Sequence, residues 1–394
     1  MDPKTAAQDR VDELRDQLID LSHRIHANPE LGFHEEKASA WLADALADAG
    51  FAVERGACDL PTAFVARAGI GPLHVAICAE YDCLPGIGHA CGHNIIATAG
   101  IGAGIAAARV ADEVGLTVSV IGTPAEEGGG GKIMLLDRGA FSGVHAAMMV
   151  HPAPADVVEP PIIAVSHFDV HYTGKEAHAS SYPEQGINAA DAITVAQVGI
   201  GLLRQHMRST DRIHGIVTKG GEAPNIVPAH TSAKYYVRAR TLGELDDIRA
   251  KVNRCLEAGA LATGATMRMV EVEKPYAQME HDAEIAGVYK RNAEALGRKF
   301  PNLGTRGERF AGSTDMGNIS LVIPSIHPMI GINSWPAANH QPEFTEHCAT
   351  ASADKAVIDG ALAMAWTAID LAMDDQLRDR LLSGASVNER QATA

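Results

Sequence analysis

The stretch LHVAICA (residues 73–79) is a short apolar run without regular alternation of polar and apolar residues. Two similar runs follow, LTVSVIG (116–122) and VHAAMMV (144–150). Runs of this kind predict strands that are buried on both faces of a mostly parallel sheet. An Ala/Gly/Ile-rich segment of helical length, residues 94–114, separates the first two runs. The order strand, helix, strand predicts an α/β layer structure.

Helices are predicted on both sides of this core. Apolar residues at spacings of three and four predict an amphipathic helix near the N-terminus, and they are Val11, Leu14, Leu18, Leu21 and Ile25. A second helix is predicted from about His34, with Gly50 as its C-terminal cap. Helices over 281–297 and 349–372 complete the layer structure, and we expect the polar tail after Asp374 to be frayed.

The middle of the chain has a different pattern. Strand-like and helix-like segments there follow the order β-α-β-β-α-β, over residues 162–173, 188–207, 213–219, 231–239, 242–261 and 266–273. This order is typical of the ferredoxin-like split unit. The sequence therefore predicts a discontinuous α/β domain, residues 1–161 and 278–394, with a small α+β domain inserted at 162–277.

Composition excludes several classes of protein. Of 394 residues, 46% are hydrophobic and 21% charged, values typical of a globular chain rather than a disordered or fibrous one. A net charge of −16 without a basic cluster argues against a nucleic-acid partner. No apolar run of about 18 residues predicts a membrane span, and the N-terminus predicts no secretory signal. Six dispersed cysteines suggest a reducing compartment, so we expect a cytoplasmic protein.

Residue types that bind metals occur where the predicted strands end. Cys91 and His93, within HACGHN (89–94), follow the first strand, and Glu126 and Glu127 follow the second, just before four glycines. The third strand ends at His151-Pro152. Open α/β sheets bind their ligands at such strand ends.

A fourth group, Asn339-His340, lies in a loop before the last helix. Alone, each of the four groups has a structural explanation: a buried cysteine, a solvated Glu-Glu loop or a strand-end histidine. Together they favour a metal site. Thiolate, imidazole and carboxylate ligands suit zinc-type ions, and five ligands suit two ions that share one ligand. Two such ions can polarise a carbonyl and activate water, while a free carboxylate moves the proton, which is the chemistry of amide hydrolysis.

The chain resembles the two-metal aminoacylase, carboxypeptidase and amidohydrolase family of metallopeptidases. Within this family, the chain is most similar to the branch that has a cysteine in place of the bridging aspartate. This branch includes the aminobenzoyl-glutamate hydrolases and related dipeptidases. The matching segments are DCLPGIGHACGHN (82–94), TPAEEGGGGK (123–132), HPAP (151–154), GKEAHASSYPEQGINAADA (174–192), GGEAPNIVPAHTSAKYYVRA (220–239), GSTDMGNIS (312–320) and NHQPEF (339–344).

The resemblance implies a role for each residue of the site. Cys91 would bridge two divalent ions, zinc or alternatively manganese, and Glu126 would be the general base. The remaining ligands would be His93, Glu127, His151 and His340. Familiar members of the family instead use a bridging aspartate and a His-x-Asp motif, where this chain has Glu80-Tyr81-Asp82. Asp82 would hold a ligand imidazole.

The inserted domain resembles the family's dimerisation lid. By this resemblance, His178 would reach the active site of a second copy and stabilise the developing oxyanion. Asn225 and Arg238 would contact the substrate, and Arg238 would bind its carboxylate through two hydrogen bonds. The segment GSTD (312–315) also matches the family, but neither spacing nor chemistry gives it a role.

Three hypotheses for function follow. The first is a homodimeric hydrolase that cleaves the amide bond of a small N-acyl amino acid or dipeptide with a free carboxylate. The second is a catalytically silent relative that binds a metabolite as the partner subunit of a related hydrolase. In the third, Cys91 is a nucleophile with His93 as its base, which leaves the other ligand residues unexplained. None of them involves nucleic acid or a membrane.

Overall fold

The computed structural model describes residues 1–301 and 312–384. In chain order, the strands are β1 (Ala52–Arg55), β2 (Phe64–Ala68), β3 (Leu73–Ala79), β4 (Leu116–Gly122), β5 (Ala146–Met148), β6 (His151–Ala153), β7 (Ala164–Thr173), β8 (Arg212–Lys219), β9 (His230–Ala239), β10 (Thr266–Glu271), β11 (Ser325–Ile326) and β12 (Met329–Gly331). The α-helices are α1 (Pro3–His26), α2 (Glu36–Asp48), α3 (His93–Ala108), α4 (Ala111–Val114), α5 (Gly131–Asp137), α6 (Ala189–Leu203), α7 (Leu242–Thr263), α8 (Ala283–Ala295), α9 (Met316–Ser320), α10 (Pro342–His347), α11 (Ala351–Met373) and α12 (Asp375–Ser383).

The chain folds into two compact units. The first unit comprises Met1–Pro161 and Met279–Ala394, and the second comprises Ile162–Gln278. The second unit therefore ends one residue after the boundary predicted at residue 277.

The first unit is built on a mostly parallel sheet, as predicted. Its strand order is β1-β2-β4-β3-β5-β11. Strands β3 and β4 are parallel and occupy the ranges predicted from their apolar runs, while β5 is parallel to both β3 and β11. The antiparallel strand β2 joins β1 to this core. Because nearly every residue of β3 and β4 is buried, these strands need no alternation of polar and apolar residues.

Helices α1, α3 and α11 pack together against this sheet. Helix α1 begins at Pro3 after the cap Asp2, whose carboxylate accepts a hydrogen bond from the Thr5 amide. Of its predicted apolar stripe, Leu14 is partly buried and the other four residues are fully buried. Helices α3 and α11 approach so closely that a Cβ at Gly102 would lie 2.9 Å from Cβ of Ala361. Small residues therefore allow these two helices to pack in the core.

Helix α11 is long and apolar enough to cross a membrane, judged by length and composition alone. Within the fold, 83% of its most apolar 18-residue window is buried. The core helix of a soluble protein also meets these two criteria, so the helix is weak evidence for a span.

The second unit has the predicted ferredoxin-like order. Its strands form an antiparallel sheet in the order β10-β7-β9-β8, and the elements follow one another as β7-α6-β8-β9-α7-β10. Helix α6 ends at Leu203 and is followed by a 3₁₀ turn, Arg204–His206, so the predicted helix over 188–207 is slightly too long. Helices α6 and α7 pack on each other, and their buried residues share one core with the sheet.

Several predicted boundaries are off by about two residues, among them the third apolar run, of which only Ala146–Met148 forms β5, and two predictions differ more. The helix predicted over 94–114 ends at Ala108, and the separate turn α4 follows Val110, whose backbone is not helical. The tail predicted to be frayed forms helix α12, capped by the side chain of Asp374. The last ten residues of that tail, 385–394, lie outside the described residues.

Candidate metal centre

A left-handed turn at Gly92 places Cys91 and His93 at the start of α3. Gly92 has φ +77°, and a Cβ there would lie 2.5 Å from Cγ of Pro152. Only glycine combines this backbone conformation with so close an approach. The sequence Cys-Gly-His therefore turns both flanking side chains toward the carboxyl ends of the strands.

The His93 imidazole is fixed by Asp82, which follows β3. Nδ1 of His93 lies 3.0 Å from Oδ1 of Asp82, and both side chains are buried. Since a carboxylate accepts this hydrogen bond, Nδ1 carries the proton and Nε2 is the nitrogen that could bind an ion. Oδ2 of Asp82 also accepts a hydrogen bond from the Glu127 amide at 3.0 Å. Asp82 thus contacts His93 as expected, and its role in a metal site stays a prediction.

Cys91 lies against two imidazoles from distant parts of the chain. Its Sγ is 3.4 Å from Nε2 of His151 and 3.4 Å from Nε2 of His340. Nδ1 of His151 lies 2.9 Å from the Pro152 carbonyl oxygen, which only accepts hydrogen bonds, so Nε2 of His151 presents its lone pair to the sulfur. Burial lowers the pKa of His151 to about 4, which keeps this imidazole neutral.

The five predicted ligands form two groups that share Cys91. One group is Cys91, His93 and His151, and the other is Cys91, Glu127 and His340; within each, the ligand atoms lie within 4.8 Å of one another. Oε1 of Glu127 is 3.6 Å from Nε2 of His340. The two groups could therefore hold two neighbouring ions with the Cys91 sulfur in common.

Glu126 lies beside these groups in a strained loop. Its Oε2 is 3.9 Å from Nε2 of His93, and its side chain is 8% exposed. The preceding residue, Ala125, has φ +57°, a conformation that L-residues rarely adopt. The buried carboxylate of Glu35 accepts a hydrogen bond from the Ala125 amide at 2.8 Å and so holds this turn in place. A Cβ at Gly131 would lie 1.9 Å from the Pro124 carbonyl oxygen, which explains a glycine after the turn.

The residues present fit divalent cations. His93 Nε2 and Glu127 Oε1 are buried and have no hydrogen-bond partner among the described residues. Burial and the carboxylate of Glu127 raise the pKa of Cys91 well above its ordinary value, and burial likewise raises the pKa of Glu126. Although burial opposes it, the Asp82 carboxylate raises the pKa of His93 to about 10. Without cations these groups would bind extra protons, which metal ions displace.

Sequence reasoning missed several buried residues around this centre. Glu80 and Lys132 form an ion pair, and Lys132 also pairs with Asp315. His327 stacks on His151 with ring centroids 5.4 Å apart. The unassigned segment GSTD and the lysine that ends GGGGK were the available signals, whereas nothing local marks Glu35 or His327.

The three residues predicted to contact the substrate all lie in the second unit. His178 and Asn225 are both exposed and lie next to each other. The Ala179 amide donates a hydrogen bond to the Asn225 carbonyl at 3.0 Å, and the backbone of His178 pairs with that of Ile226 in a single antiparallel β-bridge. Arg238 lies on β9, opposite Val165 of β7. The structure brings His178 and Asn225 together, and the predicted roles of all three stay predictions.

Similarity to known proteins extends over nearly the whole chain. A sequence model of Peptidase family M20/M25/M40 matches residues 76–357. The Xaa-Arg dipeptidase of Mus musculus is 37% identical over 383 residues, which cover 93% of this chain and 88% of the relative. The human Xaa-Arg dipeptidase is 36% identical, with coverages of 95% and 90%. One of the p-aminobenzoyl-glutamate hydrolase subunits of Escherichia coli is 33% identical, with coverages of 66% and 58%.

Solved structures share the fold at lower sequence identity. A putative aminohydrolase from methicillin-resistant Staphylococcus aureus superposes with a TM-score of 0.75 at 18% identity, covering 93% of this chain and 99% of that one. A dinuclear metal-binding M20 peptidase from Bacillus subtilis gives a TM-score of 0.70 at 22% identity, with coverages of 92% and 99%. The resemblance found in the sequence is therefore confirmed, and the protein is a metal-dependent hydrolase. The chain belongs to peptidase family M20/M25/M40.

Proposed function

We propose that the protein hydrolyses the amide bond of a small N-acyl amino acid or dipeptide that has a free carboxylate. The observation that carries this proposal is the pair of ligand groups that share Cys91, with Glu126 beside them. The names of its relatives, Xaa-Arg dipeptidase and p-aminobenzoyl-glutamate hydrolase, describe amides on the amino group of an amino acid. The complete set of ligands supports an enzyme over a catalytically silent subunit.

In this proposal, the chain's own residues divide the work. Two divalent ions, zinc or alternatively manganese, would polarise the scissile carbonyl and lower the pKa of a bound water. Asp82 holds the His93 ring in its ligating orientation, and Glu126 takes the proton from water and gives it to the leaving amine. In the second unit, Arg238 binds the substrate carboxylate and Asn225 contacts the substrate.

A cytoplasmic location remains part of the proposal, and it is supported by the six cysteines, all of which are free.

This hydrolysis is tested by a substrate panel of aminobenzoyl-glutamate, N-acetyl and N-succinyl amino acids, β-alanyl dipeptides and dipeptides that end in arginine. We expect turnover of at least one class by metal-loaded protein, loss of that turnover after chelation, and recovery with zinc or manganese. Conversion of the best substrate's carboxylate to an amide should lower kcat/KM about 10–100-fold, since a charge-assisted hydrogen bond is lost. Turnover that survives complete removal of metal would contradict the proposal.

We also propose a homodimer that forms through the second unit. In this dimer, His178 of one copy stabilises the developing oxyanion in the active site of the other copy. Strand β8 lies at the edge of its sheet, where Ile216 is 64% exposed. On α6, Val198 and Leu202 are 59% and 72% exposed. An open strand edge and an apolar helix face favour association. Two of the Escherichia coli relatives are named as different subunits of one hydrolase, so a mixed dimer with a paralogue is the alternative.

Sedimentation velocity measures this assembly. The wild type should sediment at twice the chain mass of 41.5 kDa. Leu202→Lys should shift it toward the monomer, because a buried unpaired charge opposes association. Ile70→Lys, at a residue that is 91% exposed in the first unit, is the control and should leave the mass unchanged. A monomeric wild type at all concentrations would exclude the homodimer.

A further inference from the structure

A buried ion cluster lies behind the proposed metal ligands. Nζ of Lys132 is 2.5 Å from Oε1 of Glu80 and 2.7 Å from Oδ1 of Asp315, and all three side chains are 0% exposed. Oδ2 of Asp315 accepts a hydrogen bond from the Lys132 amide at 2.8 Å. Lys132 is therefore held by its backbone and its ammonium group at once. A buried cluster of charges is costly to assemble and fixes the orientation of its members.

The second carboxylate oxygen of Glu80 points toward the metal ligands. Oε2 lies 3.6 Å from Nε2 of His93, and neither atom has a hydrogen-bond partner among the described residues. Because Nδ1 of His93 donates to Asp82, Nε2 is the ring nitrogen that faces Glu80. A divalent ion bound at Nε2 would displace the proton there and lie next to the Glu80 carboxylate, which attracts it. Glu80, His93 and Glu126 also present ligand atoms within 4.8 Å of one another.

We propose that Glu80 supplies an additional metal-facing carboxylate for the ion held by His93, and that Lys132 and Asp315 position it. Lys132 binds one oxygen of Glu80 and leaves the other directed at the ion. Asp315 fixes Lys132, which gives the GSTD segment a function as a remote support of the metal centre. This inference rests on the two-metal site of the proposed function.

The test is a zinc titration in competition with a chromophoric chelator, with wild type, Glu80→Gln and Asp315→Asn compared. Glu80→Gln keeps the shape of the side chain and leaves the Lys132–Asp315 pair intact. We expect this variant to lower the affinity for one of the two ions about 10–100-fold and to leave the affinity for the other unchanged. Asp315→Asn should lower the affinity for the same ion by a smaller factor, since Glu80 is still present but is less firmly held. In the cobalt-loaded protein, Glu80→Gln should also change the visible absorption spectrum.

A matched control is Asp359→Asn, which alters another buried carboxylate of the same unit. Oδ2 of Asp359 accepts hydrogen bonds from Nε of Arg298 at 2.6 Å and from Nζ of Lys355 at 2.5 Å. This variant should lower the melting temperature and leave both zinc affinities at their wild-type values. The inference would be overturned if Glu80→Gln and the control each lowered the affinities for both ions equally. Glu80 would then have a purely structural role.

The outcomes separate this inference from the proposed function. If the wild type binds two ions and Glu80→Gln binds both with unchanged affinity and an unchanged cobalt spectrum, the role of Glu80 is wrong and the proposed function stands. If the wild type binds fewer than two ions, the proposed two-metal function itself is wrong. Lys132→Met would leave two buried carboxylates without their cation, so its failure to fold is expected, and Glu80→Gln decides the question.

Discussion

Glu126→Gln is expected to lower kcat about 10²–10⁴-fold, the usual contribution of a positioned general base. Glutamine has nearly the same shape but cannot take a proton from water. Glu126 lies with Glu80 and His93 in a third group of ligand atoms, but neither of the two groups that share Cys91 contains it, so the variant should still bind two metal ions per chain. The measurements are steady-state kinetics on the best substrate of the panel and metal analysis of the same sample.

Glu127→Gln is the matched control, since it makes the same chemical change one residue further along. Glu127 belongs to the group with Cys91 and His340, so this variant should lose affinity for one ion, and added metal should restore part of its activity. Glu126→Gln should not respond to added metal. A Glu126→Gln enzyme with nearly normal kcat, or a loss of kcat fully rescued by metal, would remove Glu126 from the role of base.

The second large effect is expected at Cys91, where aspartate and alanine should behave differently. Its sulfur lies 3.4 Å from Nε2 of both His151 and His340. Cys91→Ala removes a ligand shared by both ions, and the loss of affinity should exceed the 10–100-fold cost typical of a change in an orienting neighbour. Cys91→Asp should retain two ions and measurable turnover, because a carboxylate can also bridge two cations. Metal analysis and kinetics of the two variants provide the comparison.

The same pair of variants tests the nucleophile hypothesis. If Cys91 attacked the substrate itself, Cys91→Asp would be as inactive as Cys91→Ala, and chelation would leave the wild type active. The burial of Cys91 favours its role as a metal ligand over that of a nucleophile. Burial raises the pKa of the Cys91 thiol and so opposes formation of the reactive thiolate unless a cation is bound.

Much of the fold could be predicted because its decisive elements are locally encoded. Strands β3 and β4 have the predicted bounds, since continuous apolar runs are what a strand buried on both faces requires. The end of α3 was missed because no glycine or proline marks Ala108, or Val110, where the backbone leaves the helical conformation. Helix α12 was missed because its few apolar residues, among them the buried Leu381, lie in a charged segment.

The candidate site divides in the same way. Cys91, His93 and Glu127 carry recognisable motifs, and the structure gathers them with His151 and His340. Lys132 and Asp315 are 183 residues apart, and Glu35 and Ala125 are 90 apart, so no local spacing could pair them. These pairs form only in the folded chain, where Glu35 holds the turn before Glu126 and Asp315 binds Lys132.

The crowding of carboxylates around the site has a consequence for the lifetime of the protein in a cell. Glu80, Asp82 and Glu126 are buried around His93, and cations bound there would stabilise the fold that assembles these residues. At a free metal concentration one hundred times Kd, this linkage contributes about 2.7 kcal/mol per site. Differences of that size change the fraction of unfolded chains open to proteolysis. Metal starvation would therefore reduce the amount of this enzyme as well as its activity.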